Sequence, residues 1–390
     1  MNPAIVIVTF NRPKSLKRLL SFIESAVYEI SDIPLIISID FQDSQEHKEI
    51  VDLAETFIWK YGQKKIIKHP SNLGLKMHVI ACGDLSEDCR AVIILEDDII
   101  VSPFFYDYSL KALAAYEDNP KIAGISLYAN EWSQISDSLF TPAENGADTY
   151  FIQSAQSWGQ IWSKSMWADF KKWYVNNNDI VSKKLIPDNV KNWSAKSWLK
   201  YHIIYCVEKE KYFVYPYVSL SSNFADVGEH LTGNKYFQVA LLTKKKDHYS
   251  FPPFEDTAYR YDAFYEREGL EGHLGNSKSE VCIDLYARKL NRDGKRFWLT
   301  TAIRNFKVVK SYGLELIPHE LNVIYNIPGN DIFYYDTEIP AKNKTKKIRL
   351  ETKKTLYNIR EVPSKNLLLV LHNRIKKRIG KLLNKKNPGV

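Results

Sequence analysis

Three consecutive carboxylates directly follow an apolar run in the first third of the chain. Residues 92–103 read VIILEDDIIVSP, so Glu96, Asp97 and Asp98 stand at the end of a stretch typical of a strand buried on both faces. Clustered acids repel one another unless a cation or hydrogen-bond donors are present, so a divalent metal ion is a natural partner. The triplet alone is equally compatible with an acidic loop or with the start of a helix.

The residues before the triplet predict an alternation of strands and helices. We expect strands at 4–10, 35–39, 65–68 and 91–95, and helices at about 14–29, at about 46–61 and after Gly74. This order predicts a parallel, Rossmann-like sheet. Ligands of such sheets bind beyond the carboxyl ends of the strands, where residues 9–11, Asp40, residues 72–76 and the triplet fall. Four polar strand ends are therefore expected to line one crevice.

The charge of the chain is divided unevenly between its body and its end. The 390 residues are 45% hydrophobic, as in a globular protein with more than one domain, and carry a net charge of +8. Residues 341–390 hold 16 Lys and Arg against two Glu, a charge of +14, which leaves −6 on residues 1–340. This distribution does not indicate a catalytic body that binds nucleic acid, whereas the basic end suits an anionic surface.

The cysteines and the amino-terminal residues indicate a cytosolic protein. The four cysteines form no CxxC pair and no zinc-like spacing, so reduced, packed thiols are expected. The opening MNPAIVIVTFNRP has no basic segment before its short apolar run, which predicts neither a signal peptide nor an anchor helix.

The last residues of the chain predict a basic amphipathic helix. Residues 366–386 read NLLLVLHNRIKKRIGKLLNKK, which places Leu368, Leu371, Ile375, Ile379 and Leu382 on one helical stripe among Lys and Arg. This pattern is typical of an interfacial membrane anchor. A helix that docks on its own body or on a partner is the alternative.

Tryptophan is concentrated in the middle of the chain, with six indoles between residues 158 and 198. Core packing is the expected role of most of them. Indole faces also stack on the C–H surfaces of sugars. Residues 241–262, which include Pro252 and Pro253, predict a long irregular or inserted segment.

The order of motifs resembles that of the GT-A glycosyltransferases, in particular the bacterial family-2-like group and the related N-acetylglucosaminyltransferase I family. The matching pieces are IVIVTFNRP (5–13), Asp40, SNLGLK (71–76), ILEDD (94–98), SWGQIW (157–162) and YPYVSLSSNFADVGEH (215–230). The resemblance implies an α/β, GT-A catalytic domain over 1–235, with a nucleotide-sugar half at 1–103 and an acceptor half at 104–235. A C-terminal extension (236–340) and the basic tail (341–390) would follow.

The resemblance also implies roles for individual residues. Breaking a bond between a sugar and a nucleotide diphosphate places growing negative charge on the leaving group, and carboxylate-bound Mn²⁺ or Mg²⁺ would offset it. Asp98 would bind the metal ion, together with His230. The expected nucleotide-sugar contacts are Thr9, Asn11, Arg12, Asp40, Asn72, Gly74, Lys76, Glu96, Asp97, Trp158 and Gly159. Asp40 would accept a hydrogen bond from a uracil-type base, although an acid at a strand end also caps helices.

The base that deprotonates the acceptor is expected between the SWG and YP motifs. Residues 185–202 read LIPDNVKNWSAKSWLKYH, and Asp188 is the one acid among them. Asp169 and Glu229 are the alternatives. Gln160 stands where the family has a second aromatic residue or a Gly-Trp step, which leaves the identity of the donor sugar open.

The sequence thus predicts an inverting, metal-dependent glycosyltransferase with a nucleotide-diphosphate sugar donor, most simply UDP-linked. Its acceptor would be a glycan or a polyprenyl-linked glycan of surface polysaccharide synthesis, used at the inner face of the cell membrane. A sugar nucleotidyltransferase is an alternative, but it usually needs a Gly-rich basic loop after the first strand, and TFNRPKS lacks those glycines. A non-catalytic carbohydrate-binding protein on a degenerate GT-A fold is the other.

Overall fold

The computed structural model describes residues 2–343 except 137, 178–183, 225, 227–237 and 256–258, together with residues 359 and 361–386. The chain divides into two compact units, Met1–Asn343 and Lys344–Val390. The boundaries predicted within the first unit, after residues 103 and 235, remain predictions.

Most of the regular structure belongs to the first unit. Its strands are β1 (Ala4–Thr9), β2 (Leu35–Ile39), β3 (Lys64–Lys68), β4 (Ala91–Glu96), β5 (Ile99–Val101), β6 (Ile122–Ser126), β7 (Trp132–Ser133), β8 (Ser138–Leu139), β9 (Thr149–Ile152), β10 (Gln160–Ser163), β11 (Tyr212–Pro216), β12 (Ser221–Asn223), β13 (Arg260–Tyr261), β14 (Val281–Asp284), β15 (Phe297–Thr300), β16 (Phe306–Tyr312) and β17 (Ile332–Pro340). Its helices are α1 (Pro13–Glu24), α2 (Gln45–Thr56), α3 (Gly74–Asp84), α4 (Phe105–Tyr116), α5 (Lys164–Val175), α6 (Asp188–Asn192), α7 (Trp198–Lys209) and α8 (Leu321–Ile324), with 3-10 turns at Leu85–Asp88 and Leu270–Leu274.

A mostly parallel sheet forms the centre of the first unit. Within the described residues its nine strands follow the order β13-β9-β11-β6-β10-β4-β1-β2-β3. Strands β1 to β4 are parallel, β10 runs antiparallel to both of its neighbours, and β6 and β11 are again parallel to β4. The predicted α/β fold class, a Rossmann-like sheet flanked by helices, is confirmed.

Two predicted helices end earlier than their apolar periodicity suggests. Helix α1 stops at Glu24 and α2 at Thr56, each five residues short of the predicted end. After α2 the backbone of Phe57 turns to an extended conformation. The indole N–H of Trp59 then donates to Ile33 O (2.8 Å), just before the start of β2. Phe57, Trp59 and Tyr61 therefore belong to the apolar core rather than to a longer α2.

The core lies on both faces of the central sheet. One face packs against α1, α2 and α4, and the other against α3, α5 and α7. Four of the six clustered tryptophans are buried here, namely Trp162, Trp167, Trp173 and Trp198. Core packing therefore accounts for most of that cluster, as expected.

The predicted C-terminal extension contains a second, smaller sheet with the order β14-β15-β17-β16. Its inner residues form a separate apolar cluster that includes Leu285, Leu299 and Ile332. Residues 238–259 contain no helix or strand in their described part. The irregular segment predicted at 241–262 is wrong at its end, because Arg260–Tyr261 form β13, an edge strand of the central sheet.

The described part of the second unit includes a long helix, α9 (Ser364–Lys386). In the part of its predicted stripe whose side chains are described, the apolar residues are well exposed, at 66% for Leu368, 54% for Leu371 and 51% for Ile379. Among the described residues, no helix combines the length and the apolar character needed to cross a bilayer.

Candidate active site

The acidic triplet lies at the carboxyl end of β4, in the middle of the sheet. Strand β4 pairs in parallel with β1, and Glu96 aligns with Val8. The chain then turns, and Asp97 N donates to Val8 O (3.1 Å), which holds the triplet beside the end of β1. Thr9 Oγ1 donates a buried hydrogen bond of 2.8 Å to Asp97 Oδ2. The polar ends of β1 and β4 are therefore in direct contact, as predicted.

Arg12 bridges the second and third acids of the triplet. It precedes α1, whose first residue is Pro13, a residue suited to a first helical turn. Its guanidinium donates to Asp98 Oδ2 (2.9 Å) and forms an ion pair with Asp97 Oδ1. Sequence reasoning placed Arg12 in the nucleotide loop but did not foresee this bridge. Within the described residues, Arg12 is the cation that forms ion pairs with the triplet.

Burial and mutual repulsion change the acidity of the triplet. Burial raises the pKa of Glu96 to about 8, and the charge of Asp98 adds to this effect. Burial also raises the pKa of Asp97 to about 6, against the opposing influence of Arg12. For Arg12, burial lowers the pKa, but Asp97 and Asp98 outweigh it and the net direction is upward. Burial is thus the main cause of both raised pKa values, and at Asp97 the charge of Arg12 has a larger effect than that of Asp98.

The donor atoms at the triplet fit a hard divalent cation in part. Asp98 Oδ1 is buried, and within the described residues it receives no hydrogen bond. Carboxylate oxygens are the ligands that Mn²⁺ and Mg²⁺ prefer. The described residues contain no ready group of three His, Cys, Asp or Glu ligands. Because Mg²⁺ usually combines one or two carboxylates with water and substrate phosphate, Asp98 fits a cation that is shared with a diphosphate.

Asp40 fastens the start of α3 to the end of β2. Its carboxylate accepts hydrogen bonds from the backbone N–H groups of Phe41 (2.9 Å), Leu73 (2.8 Å) and Gly74 (3.0 Å). Asn72 Nδ2 donates to Phe41 O (2.9 Å) and closes the same loop. Gly74 has a φ of +72°, which favours glycine at this turn. Asp40 therefore has the structural capping role that the sequence left as its alternative.

Two other predicted residues have partners away from the carboxylates. Asn11 Nδ2 donates to Gln42 Oε1 (2.9 Å) and links the loops that follow β1 and β2. The ammonium of Lys76 lies 4.9 Å from the centre of the Tyr201 ring, in a cation–π contact between α3 and α7.

The loop before β10 approaches the crevice through a glycine. Gly159 has a φ of +93°, and a Cβ there would lie 3.0 Å from Ser221 Oγ. Ser221 Oγ also donates to Trp158 O (2.5 Å), and the Trp158 indole meets the Tyr128 ring edge-on at 4.8 Å. Gln160, which stands where the family has a second aromatic residue or a Gly-Trp step, is the first residue of β10, is fully buried and pairs with Ile94.

The YP motif leads from β11 to the triplet. Strand β12 pairs antiparallel with β5, and Phe224 N donates to Asp98 O (2.9 Å). Asp226, which the sequence reasoning overlooked, accepts a 2.6 Å hydrogen bond from Ser15 Oγ and forms an ion pair with Arg18. The sequence signal for this contact is that Asp226 is one of the two acids inside the motif. The predicted residues Glu229 and His230 lie outside the described residues.

The candidate bases differ in their positions. Asp188 begins α6, its side chain is half exposed, and its carboxylate lies 3.7 Å from Lys191 Nζ. No hydrogen bond or ion pair joins it to the triplet within the described residues. Asp169 pairs with Lys211 (2.7 Å), which immediately precedes β11. Because β11 is parallel to β6 and hence to β4, this pair lies at the edge opposite the triplet, and Asp169 is wrongly placed to act as the base.

A cavity of about 520 Å³ also lies at that opposite edge. Lys121 and Tyr212, which line it, stand at the amino-terminal ends of β6 and β11. Two ion pairs lie among the residues that line the cavity, Lys289 with Asp262 (2.6 Å) and Lys278 with Glu268 (2.9 Å). The cavity is therefore separate from the predicted crevice and does not contain the triplet.

Structural comparison finds partial similarity to many solved structures, and three glycosyltransferases are examples. Mannosyltransferase PcManGT from Pyrobaculum calidifontis, in complex with GDP-Man and Mn²⁺, is 12% identical, with 44% of this chain and 47% of that chain aligned and a TM-score of 0.31. Residues 1–349 of S. aureus TarS, in complex with UDP-GlcNAc, are 13% identical over 60% and 62% of the two chains, with a TM-score of 0.37. GalNAc-T7 with UDP, GalNAc and Mn²⁺ is 12% identical over 55% and 42%, also with a TM-score of 0.37.

The aligned region spans less than two thirds of each of these structures. No protein-family model matches the chain, and no curated protein matches it in sequence. Scores of this size describe a partial resemblance and support no conclusion about activity.

Proposed function

We propose that the protein is an inverting, metal-dependent GT-A glycosyltransferase that uses a nucleotide-diphosphate sugar, with UDP as the proposed nucleotide. The observation that carries this proposal is the contact of the carboxylate triplet with Thr9 and Arg12 at the carboxyl end of the central strands. Ligands of open parallel sheets bind at this edge. The arrangement combines acceptor oxygens for a cation and for sugar hydroxyls with a guanidinium suited to phosphate.

The donor would be held by residues from four strand ends. A carboxylate offers about four lone-pair positions. Asp40 uses three of them on backbone N–H groups, so one acceptor position remains for a base N–H. When bound, the cation supplies positive charge to the leaving diphosphate, and Asp98 is the residue proposed to hold it. Glu96 and Asp97 would face the sugar and ribose hydroxyls, and Trp158 and Gly159 would bound the sugar pocket.

An inverting reaction needs a base on the acceptor side of the sugar. Asp188 is the proposed base, because its half-exposed carboxylate has one loose ion-pair partner and is accessible to an acceptor hydroxyl. Glu229 is the alternative, and His230 is the proposed second metal ligand. Both follow Asp226 in the sequence, and Asp226 itself is tied to Ser15 and Arg18 of α1.

The proposed acceptor is a glycan or a polyprenyl-linked glycan of surface polysaccharide synthesis, reached from the cytoplasmic face of the cell membrane. The exposed apolar side chains of α9, interspersed with Lys and Arg, support binding to an anionic bilayer surface. A lipid-linked acceptor would be concentrated at the same surface.

Calorimetric titration of the full-length protein with a panel of nucleotide sugars, with and without Mn²⁺, tests the proposal. We expect at least one UDP-sugar to bind, and we expect this binding to require Mn²⁺. NMR of the transfer product should show that the anomeric configuration is inverted. Failure of all nucleotide sugars to bind, with or without Mn²⁺, would refute the proposal and favour a carbohydrate-binding protein. Formation of a nucleotide sugar from a nucleoside triphosphate and a sugar phosphate would favour the nucleotidyltransferase.

A further inference from the structure

We propose that Arg12 is an internal counter-cation that competes with the divalent metal ion for Asp98, so that the metal ion binds tightly only when a diphosphate binds with it. This inference deepens the proposed function and rests on its metal-assisted diphosphate chemistry. It concerns the order and coupling of binding rather than the identity of the substrate.

Arg12 occupies one oxygen of the carboxylate that is proposed to bind the metal ion. Its guanidinium contacts Asp98 Oδ2 at 2.9 Å and also pairs with Asp97. The side chains of Asp97 and Asp98 are 2% and 9% exposed, so both ion pairs are largely removed from water. The other oxygen of Asp98, Oδ1, is buried without a hydrogen bond from any described residue. One carboxylate thus offers a free oxygen to a metal ion and its second oxygen to Arg12.

Repulsion between the two cations follows from this sharing. Mg²⁺ binds carboxylate oxygen at about 2.0–2.1 Å, so a divalent ion on Oδ1 would stand within a few ångströms of the guanidinium on Oδ2. Like charges at such separations repel strongly where water is largely excluded. Binding of the metal ion alone must therefore either tolerate this repulsion or displace Arg12 from Asp98.

A diphosphate removes this conflict. The Arg12 side chain retains 25% exposure, and the guanidinium fork matches phosphate oxygens as well as it matches carboxylates. Arg12 is also the N-cap residue of α1, its side chain makes no capping hydrogen bond, and the helix dipole favours an anion there. The diphosphate would give Arg12 a new partner for its guanidinium. The oxygens of the diphosphate would at the same time complete the coordination sphere of the metal ion. Metal ion and nucleotide should therefore each raise the affinity for the other.

The test is the affinity for Mn²⁺, measured by calorimetry and by electron paramagnetic resonance in the presence and absence of UDP. The full-length protein is compared with Arg12→Gln, and Lys14→Gln is the matched control, because it removes one exposed positive charge in the first turn of the same helix. We expect Arg12→Gln to bind Mn²⁺ alone about tenfold more tightly or better, and the enhancement by UDP to shrink correspondingly. Lys14→Gln should retain the wild-type pattern.

A thermal-unfolding series guards against a variant that folds poorly. Arg12→Gln leaves two buried carboxylates without their cation, so Mn²⁺ should raise its Tm more than that of the wild-type protein. Unchanged or weaker Mn²⁺ binding by Arg12→Gln, or an equal Tm shift in both proteins, would overturn the inference. If either of these outcomes occurs but the wild-type protein still transfers sugar, only the inference about Arg12 is refuted and the proposed function is retained. If the wild-type protein binds no nucleotide sugar, the proposed function itself is refuted.

Discussion

Thr9 and Asp97 are joined by a 2.8 Å hydrogen bond that crosses 88 positions of the sequence. Thr9 ends β1, and Asp97 directly follows β4, so the bond ties together the two central parallel strands at their polar ends. Both residues are almost fully buried. The hydroxyl therefore orients one carboxylate oxygen of Asp97 and leaves the other for Arg12.

Thr9→Val should destabilise the protein by about 1–3 kcal/mol, because it leaves a buried carboxylate oxygen without its donor in a side chain of nearly unchanged shape. Chemical denaturation measures this loss. Thr9→Ser, which keeps the hydroxyl, is the matched control and should lose less. Equal stability of Thr9→Val and the wild-type protein would mean that Asp97 does not depend on this bond.

Asp98→Asn should reduce sugar transfer by roughly 10²–10³-fold or more, because the amide keeps the shape of the side chain but loses the charge proposed to hold the cation. Circular dichroism should report an intact fold. Asp52→Asn, on the exposed face of α2, is the control and should remain active. Wild-type transfer by Asp98→Asn in the presence of a chelator would contradict the metal-dependent mechanism.

The strand ends of the crevice were predictable from sequence because each depends on local signals. Apolar β-branched runs that end in polar residues located β1, β2 and β4, and the parallel order brought Thr9, Asp40 and the triplet to one edge. The bridge of Arg12 was not predictable. It depends on the conformation of the loop between β1 and α1, which hydrophobic periodicity does not encode.

The candidate residues of the second half were harder to place because strand direction decides the edge at which a residue lies. Strand β10 runs antiparallel to β4. The helix that follows, α5, therefore begins at the edge opposite the triplet, and Asp169 belongs to that side. The resemblance does not reveal where the loop of Trp158 and Gly159 ends, and the structure shows that Gln160 is already the first residue of β10.

Acid should destabilise the protein in part through His202. This ring is fully buried and stacks on Phe170, with ring centres 4.1 Å apart, and burial lowers its pKa to about 3. The unfolded chain, with a histidine pKa of about 6.5, binds more protons below neutral pH, so this contribution to stability is complete above pH 6.5 and is lost as the pH falls toward 3.

His202→Phe keeps a stacking ring but cannot take up a proton. Between pH 8 and pH 5 it should lose about 2 kcal/mol less of its free energy of unfolding than the wild-type protein does. Denaturation curves at the two pH values measure the difference. Identical pH dependence of the two proteins would show that His202 is not the responsible group.

Asp188→Asn should lose turnover while it still binds the nucleotide sugar and Mn²⁺, because a general base acts on the acceptor proton and not on the donor. Calorimetry for binding and a transfer assay for turnover separate the two effects. Asn189→Ala, at the next position of α6, is the control. A normal Asp188→Asn together with an inactive Glu229→Gln would move the role to Glu229, and full activity of both would exclude them.

Replacement of two apolar residues of α9 should release the protein from anionic vesicles. Leu371 and Ile375 lie one helical turn apart and are 54% and 49% exposed, so a Leu371→Asp/Ile375→Asp variant removes apolar burial and adds negative charge at the same face. Each basic residue near such a surface contributes about 1 kcal/mol, so the binding of the unaltered protein should weaken steeply with salt.

Transfer to a short soluble acceptor should persist in the variant, whereas the use of a lipid-linked acceptor should fall. Deletion of residues 364–390 should reproduce both effects. Equal vesicle sedimentation of the wild-type, doubly substituted and truncated proteins at low salt would exclude a role of α9 in membrane binding and assign its apolar stripe to contacts with protein.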